Sequence, residues 1–385
     1  MTKRIVVLGS TGSVGRSVLD VVSHYTEHFE IVGLAARSRT SLLREQCAAH
    51  PGAKFVVQDA AAHRRVVEDN PELASRSVSD GREPFVRLIE ETKPDLLVNC
   101  LVGFVGLKPT LAALEIGVPV ALANKEAIVT GGELVINASK RSGAPVIPID
   151  SEHVAISQCL KGSQTADVKK VYLTASGGAL RDRAPEEMSD VRVEDVLDHP
   201  TWNMGNKITV DSATLLNKGF EVIEAHWLFD LPLETIEVVI HPQSIIHCLV
   251  EFKDNSILAQ MGFPDMRLPV LYALTYPDRV ATDLAPSVVT DFPELTLTRV
   301  DERRYPCLSL ALRAAENGGN VPAILNSANE IAVGAFLASK IPFSKIYEII
   351  ETAVNHIPPS EIRSFEDVLE ADRATRAYIK EEFGL

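Results

Sequence analysis

The 385-residue chain is poor in cysteine and short of positive charge. Its five cysteines, Cys47, Cys100, Cys159, Cys248 and Cys307, lie far apart and form no C-x-x-C pair. Such spacing indicates neither a zinc site nor a disulfide framework; small buried apolar residues in a reducing compartment are expected. A net charge of -14 and a pI of about 5.2 argue against a general nucleic-acid surface, which needs basic residues. A local cationic cluster for an anionic small molecule remains compatible with that charge. No apolar run approaches the roughly 20 residues of a membrane span. Internal repeats and low-complexity tracts are also lacking. The opening MTKRIVVLGSTG enters a strand-like run and has no signal-peptide anatomy. A cytoplasmic home is expected, although a mature organellar protein freed of its transit peptide would look the same.

What is present is ordinary for a globular protein, with 46% hydrophobic and 23% charged residues. The length predicts two or three domains. Residues 1–150 alternate β-rich runs at 4–8, 30–35, 54–57, 95–100, 119–123 and 145–149 with helical stretches at 14–24, 40–50, 83–92, 107–116 and 132–142. This rhythm predicts an α/β fold: a Rossmann-like doubly wound parallel sheet with ligands at the carboxyl ends of its strands. Residues 151–275 predict an α+β catalytic domain, with strands at 169–175, 235–240, 247–252 and 256–261 and one long helix at 210–229. Residues 276–304, with Pro277, Pro286 and Pro293, suggest a linker. Residues 305–385 suggest a C-terminal helical bundle.

Gly9-Ser10-Thr11-Gly12-Ser13-Val14-Gly15 follows the first strand and opens a helix. That geometry brings backbone close to a pyrophosphate at a helix N-terminus. After the second strand an NAD site usually carries an acid for the ribose 2′-hydroxyl. Here Arg37-Ser38-Arg39 stands there, which favours the 2′-phosphate of NADP. The alternative is a solvated basic turn.

Asp150 and Glu152 follow the last strand of this region, and Glu221 closes the polar run HPTWNMGNKITVDSATLLNKGFE from His199. Three carboxylates suit a hard divalent cation. The bland reading of the first two is a cap, with Asp150 or Ser151 starting a helix near Glu152. Lys125, after Asn124 and before Glu126, suits a substrate oxygen or a cofactor group, or else an exposed charged turn. Ser176-Gly177-Gly178 offers a hydroxyl and free N–H groups to a phosphate, although many such turns bind nothing. His199 is either a phosphate donor or structural. A helix would present several of Ser212, Asn217, Lys218 and Glu221 together, and Trp202 and Met204 suit a lid or else the core. His241 and His247 lack metal spacing and are read as structural or as supports behind a site's own ligands.

Taken together, GSTGSVG at 9–15, LANKEA at 122–127, PIDSEH at 148–153, TASGG at 174–178, the block at 199–225, HPQSIIH at 241–247 and AQMGFPDMR at 259–267 resemble the 1-deoxy-D-xylulose 5-phosphate reductoisomerase family over nearly the whole chain. The resemblance implies a homodimer that uses NADPH and a divalent cation (manganese, magnesium or cobalt). It implies rearrangement of a phosphorylated ketose by retro-aldol cleavage and re-addition, then reduction to 2-C-methyl-D-erythritol 4-phosphate. By motif, Asp150, Glu152 and Glu221 become metal ligands. Lys125, Ser151, Ser176, His199, Ser212, Asn217 and Lys218 become substrate positions. Thr11, Gly12, Ser13, Val14, Asn124, Glu126 and Gly205 become cofactor positions, and 199–209 a flap over the substrate. Arg37-Ser38-Arg39 departs from the run found in many relatives. Without the resemblance, two readings remain: a metal-dependent NADP oxidoreductase on another phosphorylated sugar, or a non-catalytic nucleotide sensor.

Overall fold

The computed structural model of the chain describes residues 2–79 and 83–385. Contacts divide it into two compact units. The first comprises Met1–Ala127, Val135–Asp150 and Asp265–Ala285. In chain order it contains β1 (Lys3–Leu8), α1 (Ser13–His24), β2 (Phe29–Ala36), α2 (Thr40–Ala49), β3 (Lys54–Val57), α3 (Ala60–Asp69), α4 (Pro84–Thr92), β4 (Leu96–Asn99), α5 (Leu107–Glu115), β5 (Val120–Leu122), α6 (Lys125–Ser142) and β6 (Val146–Pro148). The six strands form one sheet in the order β3-β2-β1-β4-β5-β6, every pair parallel. The order reverses beside β1, so the β1 and β4 carboxyl ends flank the crevice that a doubly wound sheet offers a ligand. Strands buried on both faces read as near-continuous apolar runs, as KRIVVL and FEIVGLAA do here.

The second unit comprises Ile128–Leu134, Ser151–Pro264 and Pro286–Leu385. It holds α7 (Ser151–Cys159), β7 (Val168–Ala175), α8 (Val193–Leu197), α9 (Asn206–Ala213), α10 (Leu216–Phe229), β8 (Ile236–Ile240), β9 (Ile246–Phe252) and β10 (Ile257–Met261). After α11 (Arg267–Thr275), which lies in the first unit, come β11 (Thr298–Arg299), α12 (Pro306–Asn317), α13 (Val321–Leu337), α14 (Lys345–His356) and α15 (Phe365–Phe383). A mixed sheet runs β10-β9-β7-β8-β11. One core lies between this sheet and α7, α10 and the start of α12; a second lies among α9, α10 and the last four helices. Gly219 on α10 permits the close approach of α12. A Cβ there would lie 2.4 Å from Ala311 Cβ, and overpacking of that kind costs about 1–3 kcal/mol.

The α/β class, the parallel sheet, the mixed second sheet and the C-terminal helices all match expectation. Four details differ. The helix α3 was not expected. Helix α6 starts at Lys125, seven residues early, and runs through a non-helical Gly131 (φ -142, ψ 33). Residues 265–285 fold with the first unit, and β11 pairs with β8, so 276–304 is not a simple linker. The expected helix at 210–229 is two helices. Leu215 between them is left-handed (φ 55), and Thr214 Oγ1 accepts from Leu216 N at 3.3 Å where a continuous helix would use a carbonyl.

Candidate functional site

In the first unit, β1 delivers the glycine loop to α1. Gly9 has φ +78, and a Cβ there would lie 2.4 Å from the Cys100 carbonyl oxygen. A Cβ on Gly15 would lie 2.3 Å from Gly9 O. Both positions therefore require glycine. Gly12 is the N-cap of α1 and supplies no side-chain cap, which leaves the first helical N–H groups for an anion. Thr11, Gly12, Ser13 and Val14 thus lie at this N-terminus. Ser10 Oγ donates to Gln46 Oε1 at 2.7 Å, and Gln46 Nε2 donates back to Ser10 O at 3.0 Å. Gln46 was not anticipated; its signal is a buried amide on an otherwise ordinary helix.

Arg37, Ser38 and Arg39 follow β2 and are exposed. Arg39 Nη1 reaches Thr11 O at 3.3 Å, so one of the two guanidiniums stands beside the glycine loop. Asn124 is buried at the start of α6. Its amide lies within hydrogen-bond distance of Leu101 O (3.0 Å), Gly103 O (3.0 Å) and Glu126 Oε2 (2.9 Å). Asn99 acts alongside it, donating to Gly106 O and accepting from Leu101 N. These two asparagines shape the turn after β4, and Glu126 has an internal partner. Lys125 is 6% exposed and donates to Asp150 Oδ2 at 2.8 Å. The adjacency of β5 and β6 brings their two carboxyl ends together, which makes this contact. Lys125 is therefore not an exposed turn.

In the second unit, α7 begins at Ser151, directly after Asp150. The helix-start reading is thus correct for the backbone, and the carboxylates have further work. Lys218 Nζ donates to Glu152 Oε1 at 2.7 Å and also to Glu221 Oε2. Asn217 Nδ2 donates to Glu221 Oε1 at 2.5 Å, and Ser151 Oγ to Glu152 Oε2 at 2.5 Å. The Glu221 side chain is 2% exposed and that of Glu152 18%. One oxygen of each lies within 4.8 Å of the other. Two carboxylates thus converge on one ammonium. The two carboxylates offer hard oxygen ligands, which suit magnesium or manganese.

A second cluster centres on His199. Its Nδ1 accepts from Thr201 N at 3.1 Å and Trp202 N at 3.0 Å. The proton of the neutral ring must then sit on Nε2, which faces Ser176 Oγ at 3.0 Å and Ser212 Oγ at 3.5 Å. Ser176 Oγ also accepts from Gly178 N at 3.1 Å. With two donors already aimed at its oxygen, the Ser176 hydroxyl can donate outward. Burial, and then the Arg181 guanidinium, lower the His199 pKa and favour this neutral form. Trp202 packs against His247, with ring centroids 6.3 Å apart. Gly205 starts α9, so only residues up to 205 of the expected flap are irregular.

The later residues among the expected substrate positions are therefore divided. Ser176, His199 and Ser212 meet at one point, while Asn217 and Lys218, on the next helix, engage the carboxylates. The break at Leu215 causes this division. Arg181 and Asp211 went unnoticed in the sequence. Asp211 is buried beside Ser212 and accepts from Asn329 Nδ2 and Lys207 Nζ, both at 2.8 Å, which ties α9 to α13. His241 is structural, as expected: Nε2 accepts from Ile245 N and Ile246 N, and Nδ1 donates to Thr296 O. All five cysteines are buried.

Known proteins are similar to this chain in sequence and fold. Family profiles for 1-deoxy-D-xylulose 5-phosphate reductoisomerase match residues 5–132, 146–229 (its C-terminal domain) and 261–378 (DXP reductoisomerase C-terminal domain). The Paraburkholderia xenovorans protein named 1-deoxy-D-xylulose 5-phosphate reductoisomerase is 46% identical over 379 residues, 98% of this chain and 94% of the relative. The Geobacillus kaustophilus protein of the same name is 45% identical, covering 98% and 99%. A crystal structure of DOX-P reductoisomerase in complex with NADPH, fosmidomycin and magnesium superposes with a TM-score of 0.92 at 36% identity, covering 98% of each chain. The Zymomonas mobilis enzyme in complex with NADPH gives 0.88 at 38% identity, again covering 98% of each. With identity of this level along almost its full length, the chain belongs to the 1-deoxy-D-xylulose 5-phosphate reductoisomerase family.

Proposed function

We propose that this protein converts 1-deoxy-D-xylulose 5-phosphate to 2-C-methyl-D-erythritol 4-phosphate, with NADPH as reductant and a divalent cation as cofactor. The observation that carries the reading is the buried Glu152–Lys218–Glu221 set, with the Ser176–His199–Ser212 donors in the same unit. Family membership supplies the substrate. Asp150, Glu152 and Glu221 would hold the cation, since Asp150 is two residues from Glu152 and all three are oxygen donors. When bound, the cation acts as a Lewis acid on neighbouring substrate oxygens. NADPH supplies the hydride for the reductive step. Thr11, Gly12, Ser13 and Val14 would hold its pyrophosphate and Arg37-Ser38-Arg39 its 2′-phosphate, with Asn124, Glu126 and Gly205 around the rest.

The remaining tasks fall to this chain's own side chains. Ser176, His199 and Ser212 donate to the substrate phosphate, and Asn217 and Lys218 complete it from the carboxylate side. Lys125 and Ser151 orient the substrate oxygens. Keeping both fragments in place is essential in a rearrangement that breaks and remakes a carbon–carbon bond. Residues 199–209 close over the substrate and exclude water. In this scheme the first unit is the NADPH-binding domain, and the second carries the catalytic groups other than Lys125 and Asp150. We also infer a homodimer. The edge strand β10 exposes Ile257 (53%) and Leu258 (49%), an apolar open edge that pairing with a second copy would cover. Among the described residues no helix is long and apolar enough to cross a membrane, and we place the protein in the cytoplasm. The test is NADPH consumption with the ketose phosphate and magnesium or manganese, with and without a chelator. No consumption under metal-replete conditions, or full activity in the chelator, would overturn the proposal.

A further inference from the structure

Loop 177–183 has almost no ladder of its own, so its carbonyls must find other donors. Two adjacent residues supply them. Tyr305, 3% exposed, donates from its hydroxyl to Gly177 O at 2.9 Å. Arg304 donates through Nη1 to Leu180 O at 2.9 Å and Arg181 O at 2.5 Å, and through Nη2 to Arg183 O. Four carbonyls of one loop are thus held by a single dipeptide at the start of α12. That helix is itself fixed against α10 at Gly219, beside Lys218.

The opposite side of the loop lies against α9. Gly178 has φ +72, and a Cβ there would lie 2.6 Å from Ala213 Cα and 2.8 Å from Ser212 O. Within the loop, Arg181 Nη1 donates to Ser176 O at 2.8 Å and Gly178 N to Ser176 Oγ at 3.1 Å. The position of Ser176 therefore depends on a segment whose anchor lies more than a hundred residues downstream, at the end of a stretch that looked like a linker.

We propose that Arg304 and Tyr305 are positioning residues for phosphate recognition: from the turn that leads into α12 they hold loop 177–183 so that Ser176 presents its hydroxyl beside His199 and Ser212. The inference rests on the reading of Ser176, His199 and Ser212 as the phosphate end of the substrate site. An arginine fork suits several carbonyls at once, whereas a lysine ammonium is a point charge.

The experiment uses the full chain with magnesium and NADPH and compares Arg304→Lys, Tyr305→Phe and Ser176→Ala. Each variant is measured for KM and kcat with the ketose phosphate, for KM with NADPH, and for thermal midpoint. Arg304→Lys and Tyr305→Phe are expected to raise the substrate KM about tenfold, with NADPH KM and kcat nearly unchanged. A merely structural role predicts a lower thermal midpoint and less active enzyme, but an unaltered substrate KM in what remains folded. That result in both variants overturns the proposal. KM does not depend on the active fraction, so a partly misfolded variant still decides the question, and Tyr305→Phe removes only one oxygen. If Ser176→Ala leaves the substrate KM unchanged, it is the phosphate reading that fails. If Ser176→Ala raises it and neither clamp variant does, the clamp alone fails.

Discussion

The glycine loop of the first unit and the carboxylate and serine–histidine clusters of the second are built on opposite plans. The loop is largely local: seven consecutive residues, one strand end and one helix start supply its backbone N–H groups, with Arg39 and Gln46 from the next helix region as its side-chain supports. The second region collects Glu152, Ser176, His199, Ser212, Lys218 and Glu221 from three helices and two loops. Side chains far from the chemistry hold those stretches together. A local site survives damage elsewhere in the fold, whereas a collected site is only as well placed as its supports.

The largest effect should follow from the collected site. Glu221→Gln keeps shape and removes one charge from the carboxylate pair. Turnover is expected to fall by more than about a hundredfold, since the loss of even an outer partner of a metal typically costs 10–100-fold. NADPH binding, followed by fluorescence, should stay near the wild-type value. If turnover and NADPH binding fall together, the two regions are not separable. Manganese titration of the same variant gives a readout independent of turnover, and unchanged manganese affinity would remove Glu221 from the cation site.

His199 gives a pH test of the second cluster. Its lowered pKa comes first from burial and then from Arg181. The neutral ring is the form that accepts at Nδ1 from two backbone N–H groups, and protonation breaks both bonds. A depressed histidine contributes stability that is fully present above its ordinary value of about 6.5 and is lost as pH falls through the lowered pKa. Substrate binding should follow the same course, with an acid limb below pH 6.5. Arg181→Gln removes the second cause and should move that limb towards higher pH. An unmoved limb would show that the guanidinium does not act on His199.

The sequence made the local plan legible and the collected plan only in part. Strand 54–57 and the glycine loop were readable because their partners are neighbours in sequence and alternation marks the sheet. The residues of the acid site were readable by type, since carboxylates with lysine and asparagine have few other uses in one polar block. Their grouping was not. The break at Leu215 depends on a Thr214 hydroxyl replacing a carbonyl, and no periodicity signals it. Asn99, Gln46 and Arg304 act by donating to distant backbone, a role that any exposed polar residue could have. Residues 265–285 look continuous with the preceding sheet, yet their apolar face packs on α1 in the other unit's core.

The cofactor arginines should give a smaller change, because they act at an exposed edge. Neutralising both Arg37 and Arg39 is expected to weaken NADPH more than NADH by about tenfold, the effect of one charge-assisted hydrogen bond of roughly 1.5 kcal/mol. Arg39 should dominate, since it already reaches the glycine loop at Thr11. Separate titrations of Arg37→Gln and Arg39→Gln with both dinucleotides measure this. Equal weakening of the two cofactors would mean that the arginines support the loop without reading the 2′-phosphate.

The smallest effect is expected at the far end of α10. Asp230 caps that helix in the left-handed region (φ 53, ψ 42), is exposed, and follows the turn that carries His226. Asp230→Gly removes the Cβ penalty of about 1 kcal/mol while adding unfolded-state entropy of similar size, so stability should change by less than about 1 kcal/mol. Lys218 and Glu221 sit two to three turns away, and their hydrogen bonds do not involve Asp230. Thermal unfolding should therefore shift by a few degrees at most, with the substrate KM unaltered. A helix end that changes KM without changing stability would mean that α10 moves as a rigid lever. The site would then depend on the whole length of that helix and not only on the contacts made by its first two turns.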